Sequence, residues 1–113
     1  MHLPTSPRSV PELERAILRA LCADALPAPA RDSAKHSLEN YQWQDPEHRV
    51  VYEALLEAPR SGPLSLREQL PARATRLGFP DVEWQNYFGR AESEQGDIEG
   101  LVRELKIALA ERL

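Results

Sequence analysis

Apolar residues recur along this chain at intervals of three and four, never in sustained alternation, and that rhythm predicts helices rather than strands. In "SVPELERAILRALCADAL", Leu13, Ile17 and Leu21 are each four apart, with Ala16 and Ala20 beside them. Ser9 and Glu12 have the spacing of a capping box, and Pro11 stands early enough that its missing N–H costs nothing. The spacing predicts a helix over 11–25, closed by "PAPA" at 27–30. "RDSAKHSLENYQW" predicts a short helix that starts at Asp32 or Ser33 and reaches Leu38 or Tyr41.

The stretch "YQWQDPEHRVVYEALLE" is the most informative. Asp45, Pro46 and Glu47 are what a helix start needs: an acceptor for orphan N–H groups, a residue without one, and negative charge at the positive end of the dipole. Val51, Ala54 and Leu55 then form an apolar face that Tyr52 and Leu56 widen, and Trp43 is placed to fold back on that helix. Asp45, Glu47 and His48 also invite a metal or acid–base reading, but a metal needs further ligands, and nothing local brings His36 or His2 to His48.

"APRSGP" at 58–63 reads as a turn. Ser65 and Glu68 repeat the capping-box spacing, and Gly78 with Phe79 and Pro80 marks a helix end. Pro71 between them predicts a kink or a break into two short helices. Asp81 is then expected to cap "VEWQNYF", where Trp84, Tyr87 and Phe88 share a face. A last helix follows Asp97, with Ile98, Leu101, Val102, Leu105 and Leu109 on one side. The expected architecture is all-α, a compact bundle of five to seven short helices: residues 1–8 a flexible leader, residues 9–113 a single helical domain. Leu13, Ile17, Leu21, Val51, Leu55, Leu105 and Leu109 are its expected core.

Composition narrows the function classes. With 113 residues, 42% hydrophobic and 28% charged, the chain has material for one modest core. A formal net charge of −4 argues against a protein held to nucleic acid by its overall field. The single cysteine, Cys22, permits no internal disulfide and reads as a small buried hydrophobe, so a reducing, cytoplasmic setting is expected. No apolar run has the length of a membrane span, and the first residues lack the apolar core of a signal peptide.

There is no GxxxxGK[ST], GxGxxG, CxxC or HExxH, and the carboxylates are scattered over caps and helix faces. No enzymatic activity, cofactor or metal is therefore expected. Two surfaces stand out as candidate partner sites. One is the aromatic set Trp84, Tyr87 and Phe88, whose simpler reading is a buried face. The other is the basic run Arg60, Arg67, Arg73 and Arg76, opposed there only by Glu68 and followed by the acidic 81–104 segment.

Two segments together resemble a known family. "ELERAILRALCAD" supplies Glu14, Ile17, Leu18 and Leu21 in an E-x-x-I-L-x-x-L pattern. In the second stretch Trp43 takes the aromatic place, and His48, Arg49, Val51, Tyr52 and Ala54 follow the pattern F-x-x-x-x-H-R-x-I-[FY]-x-A, with Val51 at its isoleucine position. Both resemble the helical domain shared by the N-terminus of DnaB-type replicative helicases and the C-terminus of DnaG-type primases. The match covers residues 10–60; beyond it only the helical rhythm agrees. The resemblance implies a helical bundle without catalysis of its own that mediates helicase–primase contact. The expected function is a non-catalytic protein-interaction module with a protein partner of the replication machinery. The alternative is a DNA-associated regulatory domain that uses the Arg60–Arg76 segment.

Overall fold

The computed structural model describes residues 9–23, 26–58, 64–88 and 98–111. The expected leader, residues 59–63 of the expected turn with Arg60 among them, and Asp97 lie outside them. Six helices follow one another: α1 (Val10–Cys22), α2 (Ala28–Ser37), α3 (Pro46–Glu57), α4 (Leu66–Arg76), α5 (Gln85–Phe88) and α6 (Ile98–Glu111). There is no strand among the described residues, and the bundle is all-α and compact.

Helix starts follow the local chemistry. Ser9 Oγ accepts from the Glu12 N–H at 3.3 Å while Glu12 Oε1 accepts from the Ser9 N–H at 2.8 Å. The same reciprocal pair opens α4, with Glu68 N–H to Ser65 Oγ at 3.3 Å and Ser65 N–H to Glu68 Oε1 at 3.0 Å. Asp45 caps α3 through Oδ1, which accepts the Glu47 N–H at 2.9 Å, with Pro46 in the first helical position.

Several expectations need correction. α1 ends at Cys22, and Pro27 and Pro29 belong to the start of α2, so "PAPA" introduces a helix as well as separating two. Neither Asp32 nor Ser33 caps α2; Pro27 occupies the N-cap position with no side-chain bond. Pro71 does not split its segment, for α4 runs unbroken from Leu66 to Arg76. Its ring removes the N–H that would bond to the Arg67 carbonyl. The helix is held by what flanks it: the Ser65–Glu68 box at one end, and at the other Gly78 at φ 94°, where Gly78 N–H reaches Thr75 O and Phe79 N–H reaches Ala74 O at 2.9 Å. Buried Leu66, Leu70 and Ala74 tie it to the core. Asp81 caps nothing in the aromatic segment, because the helical turn there begins only at Gln85.

α1 lies at the centre. It packs against α3, α5 and α6, while α4 rests on α3 and α2 on α6. Leu13, Ile17, Leu21, Val51 and Leu105 are buried as expected, and Cys22 is a buried free thiol. Leu55 and Leu109 are only half-buried, on the flank of the core rather than inside it. No helix of the described residues is long and apolar enough to cross a membrane.

Candidate functional site

Glu14 is the feature that local sequence signals did not reveal. It stands on the inner stripe of α1 with Ile17, Leu18 and Leu21, and its side chain has no exposed surface. A carboxylate there requires partners, because an unpaired buried charge is costly. All of them come from the segment that leads into α3 and from the first turn of that helix. Tyr41 Oη donates to Oε2 at 2.5 Å, the Gln44 N–H to Oε2 at 2.7 Å, His48 Nδ1 lies 2.8 Å from Oε1, and the Asp45 N–H reaches Oε1 at 3.4 Å. Two of these donors are backbone groups at the residues just before α3, so Glu14 fixes the path by which the chain enters that helix.

Electrostatics follow from this shell. Burial alone would raise the Glu14 pKa, but donation from His48, Tyr41 and the Gln44 N–H, with the field of His48, outweighs it and holds the carboxyl below its ordinary value. A deprotonated carboxylate only accepts, which assigns the Nδ1 proton to His48. Its other nitrogen, Nε2, faces Asp45 Oδ2 at 3.9 Å, beyond hydrogen-bond range. His48 is 3% exposed, and its ring stands edge-on to that of Tyr87 with the centroids 6.3 Å apart.

A second polar contact lies next to the first. Tyr87 is buried, and its hydroxyl donates to Glu47 Oε2 at 2.7 Å. Burial, then the Glu47 bond and charge, push this phenol far above its ordinary range. The segment 45–48 thus does carry a cluster, as its residue types invited, but each member is engaged: Asp45 in a cap, Glu47 with Tyr87, His48 with Glu14. Among the described residues no group of three or more His, Cys, Asp or Glu side chains is placed to hold a metal ion.

The candidate partner surfaces fare unequally. Tyr87 is withdrawn into the core, whereas Trp84 and Phe88 are half-buried and pack against its edge. Arg67 joins them: its Nη2 donates to the Phe88 carbonyl at 2.8 Å and its guanidinium carbon sits 5.2 Å from the centre of the Phe88 ring. Trp84, Gln85, Phe88 and Arg67 line a shallow recess of about 300 Å³. Arg73 lies 3.6 Å from Glu57 on α3, and Arg76 is exposed. Trp43 takes the anchoring position expected of it, edge-on to Tyr41 at 4.9 Å and 5.0 Å from Tyr52 on α3. No family model, curated protein or solved structure matches this chain.

Proposed function

We propose that the chain is a non-catalytic protein-interaction module of the kind that the primase and replicative-helicase helical domains exemplify. One observation carries the reading. The two segments that resemble that family meet in space, with Glu14 of the first receiving His48 of the second at 2.8 Å. The residues of the two patterns therefore serve one joint between α1 and α3. The same joint supports the absence of catalysis in this proposal: the acid and the imidazole most suited to proton transfer are sealed from solvent and committed to each other. The alternative, DNA association through the Arg60–Arg76 segment, draws less support, since Arg67 and Arg73 are engaged with Phe88 and Glu57.

The test is direct capture. The folded chain, immobilised, is presented with a purified DnaB-type helicase and a DnaG-type primase, and separately with duplex DNA over a salt series. Retention of either protein supports the replication reading. A folded chain that retains neither overturns it, and DNA binding with a steep salt slope favours the alternative.

A further inference from the structure

Glu14 also holds a surface feature in place. Tyr41 Oη and the Gln44 N–H donate to the same oxygen, Oε2, at 2.5 and 2.7 Å. The two residues flank Trp43, in a stretch between α2 and α3 where residues 41–43 take no regular structure. The Tyr41 ring meets Trp43 edge-on at 4.9 Å, and Trp43 in turn reaches Tyr52 on α3 at 5.0 Å. These rings line a surface recess of about 600 Å³, and residues 41–44 all belong to its wall. A buried carboxylate thus ties the backbone on one side of Trp43 and a packing ring on the other.

The arrangement depends on charge. A carboxylate offers only lone pairs, so it can receive four donors at once. Once protonated, it carries a hydrogen of its own inside a site closed to solvent. The Tyr41 hydroxyl can turn to accept that hydrogen, but its own hydrogen then leaves Glu14. The Gln44 N–H can only donate, and its bond loses the charge that makes it strong. The other groups around the carboxyl act elsewhere. On α3, His48 faces Oε1, with Asp45 behind it at 3.9 Å, so a proton on His48 leaves both Oε2 bonds intact. From α5, Tyr87 is bonded to Glu47, and Arg15 of α1 acts on Tyr87. The buried side chains that α6 contributes are apolar.

We propose that Glu14 is an acid-sensitive latch on this surface: a proton on its carboxyl frees residues 41–44, moves Trp43 away from Tyr52 and dismantles the recess while the helical bundle stays folded. The bundle persists because α1 is held to its neighbours by buried apolar residues such as Leu13, Ile17, Leu18 and Val51. Folding holds the carboxyl below its ordinary value of 4.5, so the latch is closed at neutral pH and opens as pH falls through the lower, folded value. The inference is independent of which partner the chain binds.

The test follows the two tryptophan indole resonances and backbone amide exchange of the full chain by NMR. In the parent, acid should move the Trp43 indole below pH 4.5 while that of Trp84 stays in place. Glu14→Gln keeps the shape and lacks the charge. It should show the moved Trp43 indole already at neutral pH, with no further shift in acid. Its Gln44 N–H should exchange about ten- to a hundredfold faster than in the parent, the scale of one charge-assisted bond lost, while the Ile17 and Leu18 amides of α1 stay protected. Tyr41→Phe keeps the ring but removes one Oε2 donor, so its release should come at higher pH than in the parent. The parent and Tyr41→Phe decide the matter if Glu14→Gln does not fold. A Trp43 indole that keeps its parent position in folded Glu14→Gln would overturn the proposal. So would Trp43 and Trp84 moving together in acid, or a Tyr41→Phe release at or below the pH of the parent's.

Discussion

His48 Nδ1 lies 2.8 Å from Glu14 Oε1, a contact between residues 34 positions apart that is closed to solvent on both sides. Removing one member of such a pair leaves the other buried without its partner. Glu14→Ala is therefore expected to destabilise by about 3–5 kcal/mol. A buried pair can often be exchanged for apolar residues at little cost, but not here. Glu14→Leu with His48→Phe would still remove the carboxylate that accepts from the Tyr41 hydroxyl and the Gln44 N–H. The double variant should remain less stable than the parent by about 1–3 kcal/mol for each charge-assisted bond lost. Denaturant titrations of the singles and the double check this, and a double variant as stable as the parent would show that the joint is an isolated ion pair.

Acid should loosen the same joint. Folding holds the Glu14 carboxyl below its ordinary value of 4.5, so on acidification the unfolded chain takes up this proton first. The stabilisation is complete above the ordinary value, declines as pH falls through it, and is gone below the folded value. The difference in melting temperature between the parent and Glu14→Gln should accordingly be constant near neutrality and shrink in acid. A difference that stays constant through acid would contradict the assignment.

Asp45 separates capping from chemistry. Asp45→Asn keeps an oxygen for the Glu47 N–H, whereas Asp45→Ala removes it. Alanine should cost about 1 kcal/mol and asparagine clearly less. Thermal melts of the three proteins decide, and identical midpoints would remove the cap from the account.

Pro71 is a candidate for stabilisation. Pro71→Ala restores an N–H opposite the Arg67 carbonyl inside α4. Against a helix-interior penalty for proline of about 3 kcal/mol stands an unfolded-state entropy gain of up to about 1 kcal/mol, so a net rise of about 1–2 kcal/mol is expected. A fall in the melting midpoint would mean that the half-buried ring contributes packing which alanine does not replace.

What was legible in the sequence was local. Ser9 with Glu12, Ser65 with Glu68, Asp45 with Glu47, and Gly78 with Phe79 act across four residues or fewer, and their chemistry stands in the order of the letters. Proline was misread twice for a related reason. Its effect depends on whether it falls in a first turn, as Pro29 does, or in an interior that other contacts can support, as Pro71 does. Glu14 stands out in the sequence only through the resemblance of its segment to E-x-x-I-L-x-x-L. The physical sign was a charge on the stripe of Ile17, Leu18 and Leu21, but its partners are 27 to 34 residues away and no local rule points to them. Leu55 showed the reverse limit: periodicity assigns a face, and only the neighbouring helices determine how much of that face is covered.

The bonds from Gln44 and Asp45 to Glu14 also bear on the order in which the chain assembles. The approach to α3 is held by a carboxylate 30 and 31 residues upstream, so it cannot form before α1 and the intervening segment that carries α2 have come together. Until then Glu14 remains hydrated at little cost, and its dehydration belongs with the final closure rather than with the nucleus. Weakening the joint should for that reason steepen loss from the native basin while leaving the ascent to it nearly unchanged. The two limbs of a chevron measured on Glu14→Gln would register the change almost wholly in unfolding, and a slowed folding limb would place the joint in the nucleus instead.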